Sequence, residues 1–434
     1  MNAAANSRRI APSLSVLAVL LWSLFLGCNH MAHAQEPPSA PDLSGKSDAS
    51  IREVITRVAH HQFHPLRDGD YPSVETVVAA RAARQPEGIG WDYPWGVTLY
   101  GMLHVNEATG DKDLEHFVLE HNQIVARDYA WLTGLRAKLG DSKELRGFMR
   151  GLRLQQLMVL GSLDNCGAMG TQLLEGFLSH GEQPTPEQKV IGETIADYIV
   201  NKQARLPDGT LWRPGELGGT VWIDDLYMSC PFLVRWYKYS GDHKYLDDAA
   251  RQIVNMAQRL QDADGVWWHG YYEKDKEHSP IKWGRGNGWA MVATVEVLSA
   301  MPKDHPDRAK LLDILRRHIE GVKRLQAPSG MWHQVLDHPE LWEETSCTAM
   351  FTYSIARAVD RGWINSSNLG AARKGFQGIC GQVTSEGVVK NTCESTGIGK
   401  DLDFYAKRAR PDDDMHGRGP VMLAGAEILL ADRK

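Results

Sequence analysis

The chain has 434 residues, of which 24% are charged, and its formal net charge is −6. This acidic balance argues against nucleic acid as the main partner, so an anionic ligand must be met by cations placed locally. Six cysteines are too few for a disulfide scaffold in a chain of this length. Cys380 and Cys393 could form one bridge in an oxidising compartment, although free buried thiols explain the cysteines equally well.

The first 34 residues have the pattern of a secretory leader. Arg8 and Arg9 precede the apolar run LSVLAVLLWSLFLG, and the small residues of AHA end at Ala34. We expect cleavage after Ala34 and export to the periplasm or the medium. Lipid attachment at Cys28 is the alternative. No later segment approaches the roughly 20 apolar residues that a membrane span requires.

Helical periodicity dominates the chain from about Ser50 onward. Early helices are predicted in IREVITRVAHH, VETVVAARAARQ, WGVTLYGMLHVNEATG and LRLQQLMVLG. The segment ETSCTAMFTYSIARAV carries a continuous apolar stripe from Cys347 to Val359 at helical spacing. No segment alternates like a strand, so the sequence predicts an all-α protein.

A short glycine turn recurs between these helices. It is found in DGTLW, DGVWW, SGMWH and SEGVV, with its glycine at Gly209, Gly265, Gly330 and Gly387. The intervals of 56, 65 and 57 residues each accommodate two helices, and the chain has room for about six such hairpins. The units are too irregular for an open solenoid. We therefore expect a closed (α/α)6 barrel that forms a single domain over residues 51–434, after a leader at 1–34 and a flexible segment at 35–50.

Five stretches place an ionisable residue among aromatic residues or glycines. Fourteen Trp and thirteen Tyr are many for this length, and the flat faces of those beside polar groups suit sugar rings, although most Trp are expected in the core. The stretches are WDYPWG with Trp91 and Tyr93, SLDNCGAMG with Asp164, VWIDDLYM with Asp224 and Asp225, WWHGYY with His269, and WGRGNGW with Trp283, Arg285 and Trp289.

The stretch WGRGNGW favours a binding site. Its three glycines permit a close approach of the backbone to a ligand, and Arg285 offers a fork of donors that suits a carboxylate. Trp283 and Trp289 would form walls of the pocket. The alternative is a tight turn with a surface arginine.

Three carboxylates, Asp164, Asp224 and Asp225, are candidates for proton transfer. An aspartate among aromatic residues holds its proton more strongly, which lets it donate as well as accept near neutral pH. The alternative for Asp224 is a helix N-cap, and Pro231 requires a helix to begin or kink nearby. His269 would hydrogen-bond a sugar or orient a carboxylate. No metal-binding or nucleotide-binding motif is present, so we expect no cofactor and no metal.

The ordered motifs WIDDLYMSCPFL, HGYY, WGRGNGW, EETSCTAMF and HGRGP resemble those of the unsaturated rhamnogalacturonyl hydrolases, glycoside hydrolase family 105. The unsaturated glucuronyl hydrolases of family 88 are similar more distantly. The resemblance implies an (α/α)6 barrel that removes a 4,5-unsaturated uronic acid from the non-reducing end of lyase-generated oligosaccharides. In this family the C4=C5 double bond is hydrated, and the resulting hemiketal collapses with loss of the glycosidic bond.

The same resemblance implies roles for individual residues. Asp224 matches the catalytic aspartate, with Leu226 fixing the register so that Asp225 occupies a variable position. Asp164 matches a second catalytic aspartate. The resemblance implies that His269, Arg285, Trp283 and Trp289 bind substrate. From their positions in the sequence, Trp91, Tyr93, Asp225 and Arg213 are expected to bind substrate as well. Trp212-Arg213 departs from the family pattern, where a histidine is common, so the next saccharide is expected to bind differently.

Two other functions are compatible with the residues alone. A glycosidase acting on saturated sugars would use two carboxylates, for which Asp164 and Asp224 are the obvious pair. A glycan-binding protein without activity could use the same scaffold. The sequence specifies neither the sugar that follows the uronate nor the oligomeric state.

Overall fold

The computed structural model describes residues 48–80, 83–140, 142, 152, 154–215 and 217–432. The predicted leader, Cys28 and most of the predicted flexible segment 35–50 lie outside the described residues. By its internal contacts the chain divides after Ser39, and every described residue belongs to the compact unit that follows. The first described helix begins at Asp48, three residues before the predicted start of the domain at residue 51.

Twelve long helices, counted over the described ranges, account for most of the fold. In chain order they are α1 Asp48–His61, α2 Tyr93–Thr109, α3 Lys112–Leu139, α4 Gly167–Ser179, α5 Pro186–Asp197, α6 Cys230–Ser240, α7 His243–Leu260, α8 Gly284–Ala300, α9 Arg308–Arg324, α10 Thr345–Asp360, α11 Leu369–Cys380 and α12 Met415–Ala431. Shorter helices cover Val74–Ala80, Gln155–Met158 and Leu402–Ala406, and a π-helical turn, Tyr198–Lys202, extends α5.

The even-numbered helices form a closed inner ring. Each of them contacts the next even-numbered helix, and α12 contacts α2, which completes the circle. Each of these inner helices also packs on an odd-numbered outer helix, and the sixth hairpin pairs α12 with α1 from the other end of the described chain. This arrangement confirms the predicted (α/α)6 barrel, because an open solenoid would leave α2 and α12 apart.

Helix α10 shows why the inner helices are apolar. The predicted stripe from Cys347 to Ala358 is buried, with Val359 partly exposed at its end. Thr348 and Thr352, off the stripe, are buried too, since α10 lies between two inner neighbours and one outer helix. An inner helix is therefore enclosed on nearly all sides, whereas an outer helix exposes one face.

The recurring glycine turns link the hairpins. Gly209, Gly265, Gly330 and Gly387 have φ of 86°, 86°, 95° and 90°, the left-handed region that glycine tolerates. The N–H of Gly265 donates to the carbonyl of Asp262 at 2.9 Å, and each of the other three turns has the equivalent bond. A Cβ at Gly265, Gly330 or Gly387 would lie 2.1–2.4 Å from a backbone oxygen of an outer helix. These turns therefore fix each connection directly against a helix.

The helical fold also contains short strands that the sequence did not reveal. Within the described ranges the structure has five short strands, β1 Thr220–Trp222, β2 Gly270–Tyr272, β3 Glu277–His278, β4 Trp332–His333 and β5 Glu343–Glu344. Strands β1, β2 and β3 form one antiparallel sheet, and β4 pairs with β5. Segments of two or three residues are too short for alternation to appear in the sequence.

Cys380 and Cys393 are not joined by a disulfide bond in the structure. The buried Cys393 sulfur instead accepts a hydrogen bond from Gln334 Nε2 at 3.0 Å. None of the described helices combines the length and apolar character that crossing a lipid bilayer requires.

Candidate active site

The residues singled out in the sequence gather around the N-terminal ends of the inner helices. Tyr93 is the first residue of α2, and Asp164 lies just before α4. Asp224 and Asp225 precede α6, and Arg285 lies in the first turn of α8. Because helix N-termini direct unpaired N–H groups and positive dipole ends outward, this end of the barrel suits an anionic ligand.

The small sheet brings Asp224 and His269 together. Trp222, the last residue of β1, pairs with Gly270, the first residue of β2. The N–H of Ile223 then donates to the carbonyl of His269 at 3.2 Å. This pairing brings the residue before β2, His269, close to the turn that follows β1. As a result His269 Nε2 lies 3.2 Å from Asp224 Oδ2.

Asp224 and Asp225 have different surroundings, although they share the 3₁₀ turn Ile223–Leu226. The side chain of Asp224 is 12% exposed, whereas that of Asp225 is fully buried. The alternative that Asp224 caps a helix is wrong, because α6 begins at Cys230 and Ser229 occupies the N-cap position. Pro231 lies in the first turn of α6, as its chemistry requires.

Arg213 joins two of the three carboxylates. Its Nη2 lies 2.6 Å from Asp225 Oδ1 and 3.0 Å from Asp164 Oδ1, and its guanidinium stacks 4.3 Å from the ring of Trp222. Burial raises the pKa of Asp225 to about 6, although Arg213 opposes this shift. The Asp164 side chain remains 33% exposed, so it can face a ligand while it is paired.

His269 is fully buried and is held from both sides. Its Nδ1 lies 2.6 Å from the hydroxyl oxygen of Tyr405, opposite its contact with Asp224. The ring of Trp283 lies 4.5 Å from the imidazole, and that of Trp222 lies 5.9 Å away. The imidazole therefore has one orientation, with one nitrogen directed at each partner.

The side chain of Arg285 is buried among backbone carbonyls. Only 1% of the residue is exposed, and its terminal nitrogens donate to the carbonyls of Cys393 at 2.5 Å and Glu394 at 2.7 Å. Glu344 lies 3.8 Å from the guanidinium, which stacks on Trp283. Arg285 thus ties the segment at 393–394 to α8 and places a positive charge beneath the site.

Of the four aromatic residues predicted to bind substrate, the three tryptophans are buried and Tyr93 is partly exposed. Trp91, Trp283 and Trp289 are 3%, 1% and 2% exposed. Trp289 packs on Tyr227 with ring centroids 4.5 Å apart. Tyr93 is more exposed, its hydroxyl lies 2.5 Å from His416 Nε2, and burial raises its pKa to about 12.

The glycines of WGRGNGW admit protein atoms rather than a ligand. A Cβ at Gly286 would lie 2.9 Å from Ile223 and 3.4 Å from the imidazole of His269. A Cβ at Gly284 would lie 2.8 Å from the sulfur of Cys347. These glycines allow α8 to pack closely against His269 and α10.

Three residues of this region were not among the sequence predictions. Tyr405 contacts His269, His416 contacts Tyr93, and Glu344 accepts from Ser346 and from the N–H of Cys393. Glu344 and His416 lie in the stretches EETSCTAMF and HGRGP, which carried the resemblance. Tyr405 lies in DFYAK, where the sequence gives no signal beyond two adjacent aromatic residues next to an aspartate.

The family model described as Glycosyl Hydrolase Family 88 matches residues 74–431. Among curated proteins, the Unsaturated rhamnogalacturonyl hydrolase YesR of Bacillus subtilis is 26% identical over 361 residues, which cover 79% of this chain and 91% of that protein. Protein Atu3128 of Agrobacterium fabrum is 31% identical over 234 residues, which cover 48% of this chain and all of that protein.

A solved structure supports the same architecture. A possible member of GH105 family from Salmonella enterica superimposes with a TM-score of 0.68, at 23% identity, over 94% of this chain and 99% of that one. At this level of identity the likeness concerns the fold.

Proposed function

Because the chain belongs to glycosyl hydrolase family 88, in the superfamily of unsaturated rhamnogalacturonyl and glucuronyl hydrolases, we propose that it removes a 4,5-unsaturated uronic acid from lyase-generated oligosaccharides. The match agrees with the resemblance seen in the five motifs. The observation that carries the proposal within the site is the Asp224–His269 contact of 3.2 Å. This contact holds the partly exposed carboxylate of Asp224 at the N-terminal ends of the inner helices.

The proposed reaction begins with hydration of the C4=C5 vinyl ether. Asp224 donates a proton to C4 and takes one from the water whose oxygen bonds to C5, so the carboxyl group returns to its starting state. The hemiketal at C5 then opens to a ketone, which leaves a hemiacetal at C1. Collapse of this hemiacetal to an aldehyde releases the second sugar as an alcohol. One water is consumed, and no second carboxylate has to attack the anomeric carbon.

The neighbouring residues have supporting roles in this proposal. Asp164, which is partly exposed, contacts the substrate, and Asp225 with Arg213 holds Asp164 in place. The buried charge of Arg285 favours the carboxylate of the uronate through space. Tyr93 is the more exposed of the four aromatic residues and is proposed to lie against a sugar ring, whereas Trp91, Trp283 and Trp289 support the site from behind.

The experiment follows the ultraviolet absorbance of the C4=C5 bond during incubation with lyase-generated oligosaccharides. We expect the wild type to abolish the absorbance and Asp224→Asn to fold normally without doing so. Asp225→Asn is the matched control, one residue along and on the buried side, and should retain measurable turnover. A fully active Asp224→Asn beside an inactive Asp225→Asn would move the acid/base to Asp225.

Product analysis separates this reaction from ordinary glycoside hydrolysis. The proposed reaction yields a ring-opened keto product, which NMR identifies and which has no anomeric configuration to assign. A saturated sugar of defined anomeric configuration would instead indicate a two-carboxylate glycosidase. Binding of the same oligosaccharides without turnover at any pH would indicate a glycan-binding protein.

We propose rhamnose as the sugar that follows the uronate. Support comes from the name of the Bacillus subtilis relative, an unsaturated rhamnogalacturonyl hydrolase. A substrate panel should therefore show a higher kcat/KM for unsaturated rhamnogalacturonan fragments than for unsaturated glucuronyl disaccharides. The reverse order would place the chain with the glucuronyl hydrolases.

We further propose that the protein is exported through the leader at residues 1–34. The pattern of arginines, apolar run and small residues before Gln35 supports this proposal. N-terminal sequencing of the mature protein should begin at Gln35. A lipidated N-terminus at Cys28 in the membrane fraction would show the alternative processing.

A further inference from the structure

We propose that Tyr405 is a positioning residue that holds His269 in the tautomer whose Nε2 carries the proton. The hydroxyl oxygen of Tyr405 lies 2.6 Å from Nδ1 of His269, and Nε2 lies 3.2 Å from Asp224 Oδ2. Tyr405, His269 and Asp224 therefore form a continuous chain of contacts, in which Tyr405 is remote in sequence and Asp224 is the proposed acid/base. The expected effect on catalysis rests on the proposed function of Asp224, whereas the expected tautomer of His269 is independent of that function.

The direction of each hydrogen bond follows from the inventory of donors. A hydrogen bond from His269 to Asp224 Oδ2 requires a proton on Nε2, and it leaves the other carboxyl oxygen of Asp224 to carry the proton for C4. A neutral imidazole with its proton on Nε2 presents a lone pair at Nδ1. The 2.6 Å contact between this lone pair and the Tyr405 hydroxyl then requires Tyr405 to donate, while the Tyr405 oxygen accepts from the Gly399 N–H at 2.9 Å and also neighbours the Ser279 hydroxyl. The chain of bonds therefore runs from Gly399 through Tyr405 and His269 to Asp224.

Packing prevents the imidazole from escaping this arrangement. His269 is fully buried, with the rings of Trp283 and Trp222 at 4.5 and 5.9 Å, and Gly286 lies against its Cδ2 edge. A flipped ring would place carbon atoms against Tyr405 and Asp224. Tyr405 is the only side chain that the structure's described contacts place at Nδ1.

Tyr405 is itself fixed from several directions. It lies on the short helix Leu402–Ala406, whose first turn is capped by Asp401, and it is fully buried. Burial raises the pKa of its hydroxyl well above the ordinary value, so the phenol keeps the proton that it donates. Apart from Asp224, no carboxylate hydrogen-bonds His269 or Tyr405 in the described contacts. The phenol acts as a neutral donor rather than as a second base.

The consequence for the reaction concerns the carboxylate of Asp224. With Nε2 as the donor, one oxygen of Asp224 is occupied and the other is left for the proton that moves to C4. Without the donor at Nδ1, the imidazole can carry its proton on either nitrogen, and the Nδ1 tautomer would place a lone pair against the carboxylate. In that fraction of the enzyme the proton of Asp224 would point at the imidazole rather than at C4, or the Asp224 side chain would be displaced.

The test compares Tyr405→Phe with Tyr272→Phe as a matched control. The Tyr272 hydroxyl is also buried and also contacts Gly399, at the carbonyl 3.5 Å away, but it does not contact His269. We expect Tyr405→Phe to lower kcat about 10- to 100-fold with little change in KM, as for other residues that orient a catalytic group. We expect Tyr272→Phe to retain wild-type kcat. Equal losses in the two variants would overturn the proposal, since they would indicate disturbance of the Gly399 segment.

A spectroscopic measurement keeps the inference separate from the proposed function. In protein labelled with ¹⁵N-histidine, the signals of His269 are assigned by their absence in His269→Gln. The wild-type spectrum should show a neutral imidazole protonated at Nε2, and Tyr405→Phe should show increased protonation at Nδ1. A wild-type imidazole protonated at Nδ1 would overturn the inference. The expected spectra in a protein without uronyl hydrolase activity would uphold the inference and reject the proposed function.

Discussion

Arg213 is the cation that allows two carboxylates to lie beside each other at the head of the barrel. Asp225 is fully buried, and burial raises its pKa to about 6 even with Arg213 at 2.6 Å. The raised pKa means that ionised Asp225 opposes folding, so its effect on stability grows less favourable as pH rises from about 4 to 6. Arg213 limits that cost.

Replacing Arg213 by Gln should therefore destabilise the protein in a pH-dependent way. Without the guanidinium the pKa of Asp225 rises further, so the variant loses more stability at pH 8, where the wild-type carboxylate is ionised, than at pH 5. Melting temperatures of both proteins at the two pH values measure the difference. The double variant Arg213→Gln/Asp225→Asn should lose this pH dependence. Equal losses of melting temperature at pH 5 and pH 8 in Arg213→Gln would contradict the argument.

At the scale of single residues, the sequence predicted the groups that stand in recognisable stretches. Asp224 and His269 were both expected in the site, although not in contact with each other, and the pairing of β1 with β2 explains how they meet. Tyr405 was not expected, because its partner His269 is 136 positions away and only closure of the barrel brings the two together. The hydrogen bonds of Arg285 were also unforeseen, since nothing near it marks the carbonyls at 393 and 394 as acceptors.

The glycine turns are the elements that the sequence predicted most directly. Their spacing gave the number of hairpins, and the positive φ of each glycine explains why the residue recurs. The sequence does not predict which backbone atoms of a neighbouring helix each turn contacts. Gly265 lies against the carbonyl of Arg317 in α9, and Gly330 lies against that of Lys374 in α11. Such contacts depend on how neighbouring hairpins pack.

Gly265→Ala should destabilise the barrel more than Gly110→Ala does. Both glycines have positive φ, at 86° and 81°, so both substitutions incur backbone strain of about 1 kcal/mol. A Cβ at Gly265 would lie 2.1 Å from the Arg317 oxygen, whereas a Cβ at Gly110 meets nothing within 4 Å. We expect a total loss of about 3 kcal/mol for Gly265→Ala. Urea unfolding measures both, and similar losses would show that strain alone governs the turns.

On the scale of the whole molecule, a buried ionic network links the inner helices. Each of the six contributes at least one polar side chain, namely Tyr100 and His104 from α2, Glu175 from α4, Arg235 from α6, Glu296 from α8, Tyr353 and Arg357 from α10, and Glu427 from α12. The six-hairpin ring was predicted from hairpin length. The network was not, since each helix carries only one or two of its charges among apolar residues, and which charges meet depends on closure.

Glu296 is the centre of this network. Its two oxygens lie 2.8 Å from Arg235 Nη2 and 2.7 Å from Arg357 Nη1. Burial alone would raise the pKa of Glu296, but the two arginines outweigh it and hold that pKa at about 2. The second carboxylate, Glu427, is held at about 2 in the same way by Arg357 and His104. The burial of His104 would lower its pKa, but Glu107 and Glu427 raise it to about 9.

These shifts define a pH window for the stability of the ring. A carboxylate with a lowered pKa stabilises the fold above its unfolded value near 4.5, and this contribution is lost as pH falls towards 2. A histidine with a raised pKa stabilises the fold below its unfolded value near 6.5, and this contribution is lost as pH rises through 9. The network should therefore contribute most between about pH 4.5 and 6.5.

Glu296→Gln should remove much of that contribution, because it leaves two buried guanidinium groups with less negative charge between them. We expect a loss of about 3–5 kcal/mol in the free energy of unfolding at pH 5.5 and a shallower decline between pH 5 and pH 3 than in the wild type. Glu320→Gln is the matched control, since Glu320 pairs with Lys323 on the surface and its side chain is 58% exposed. Urea unfolding across this range should leave the control close to the wild type. If the free energy of unfolding of Glu296→Gln falls between pH 5 and pH 3 as steeply as that of the wild type, the network does not set the lower pH limit of stability. The packing of the six inner helices must then close the ring without the network.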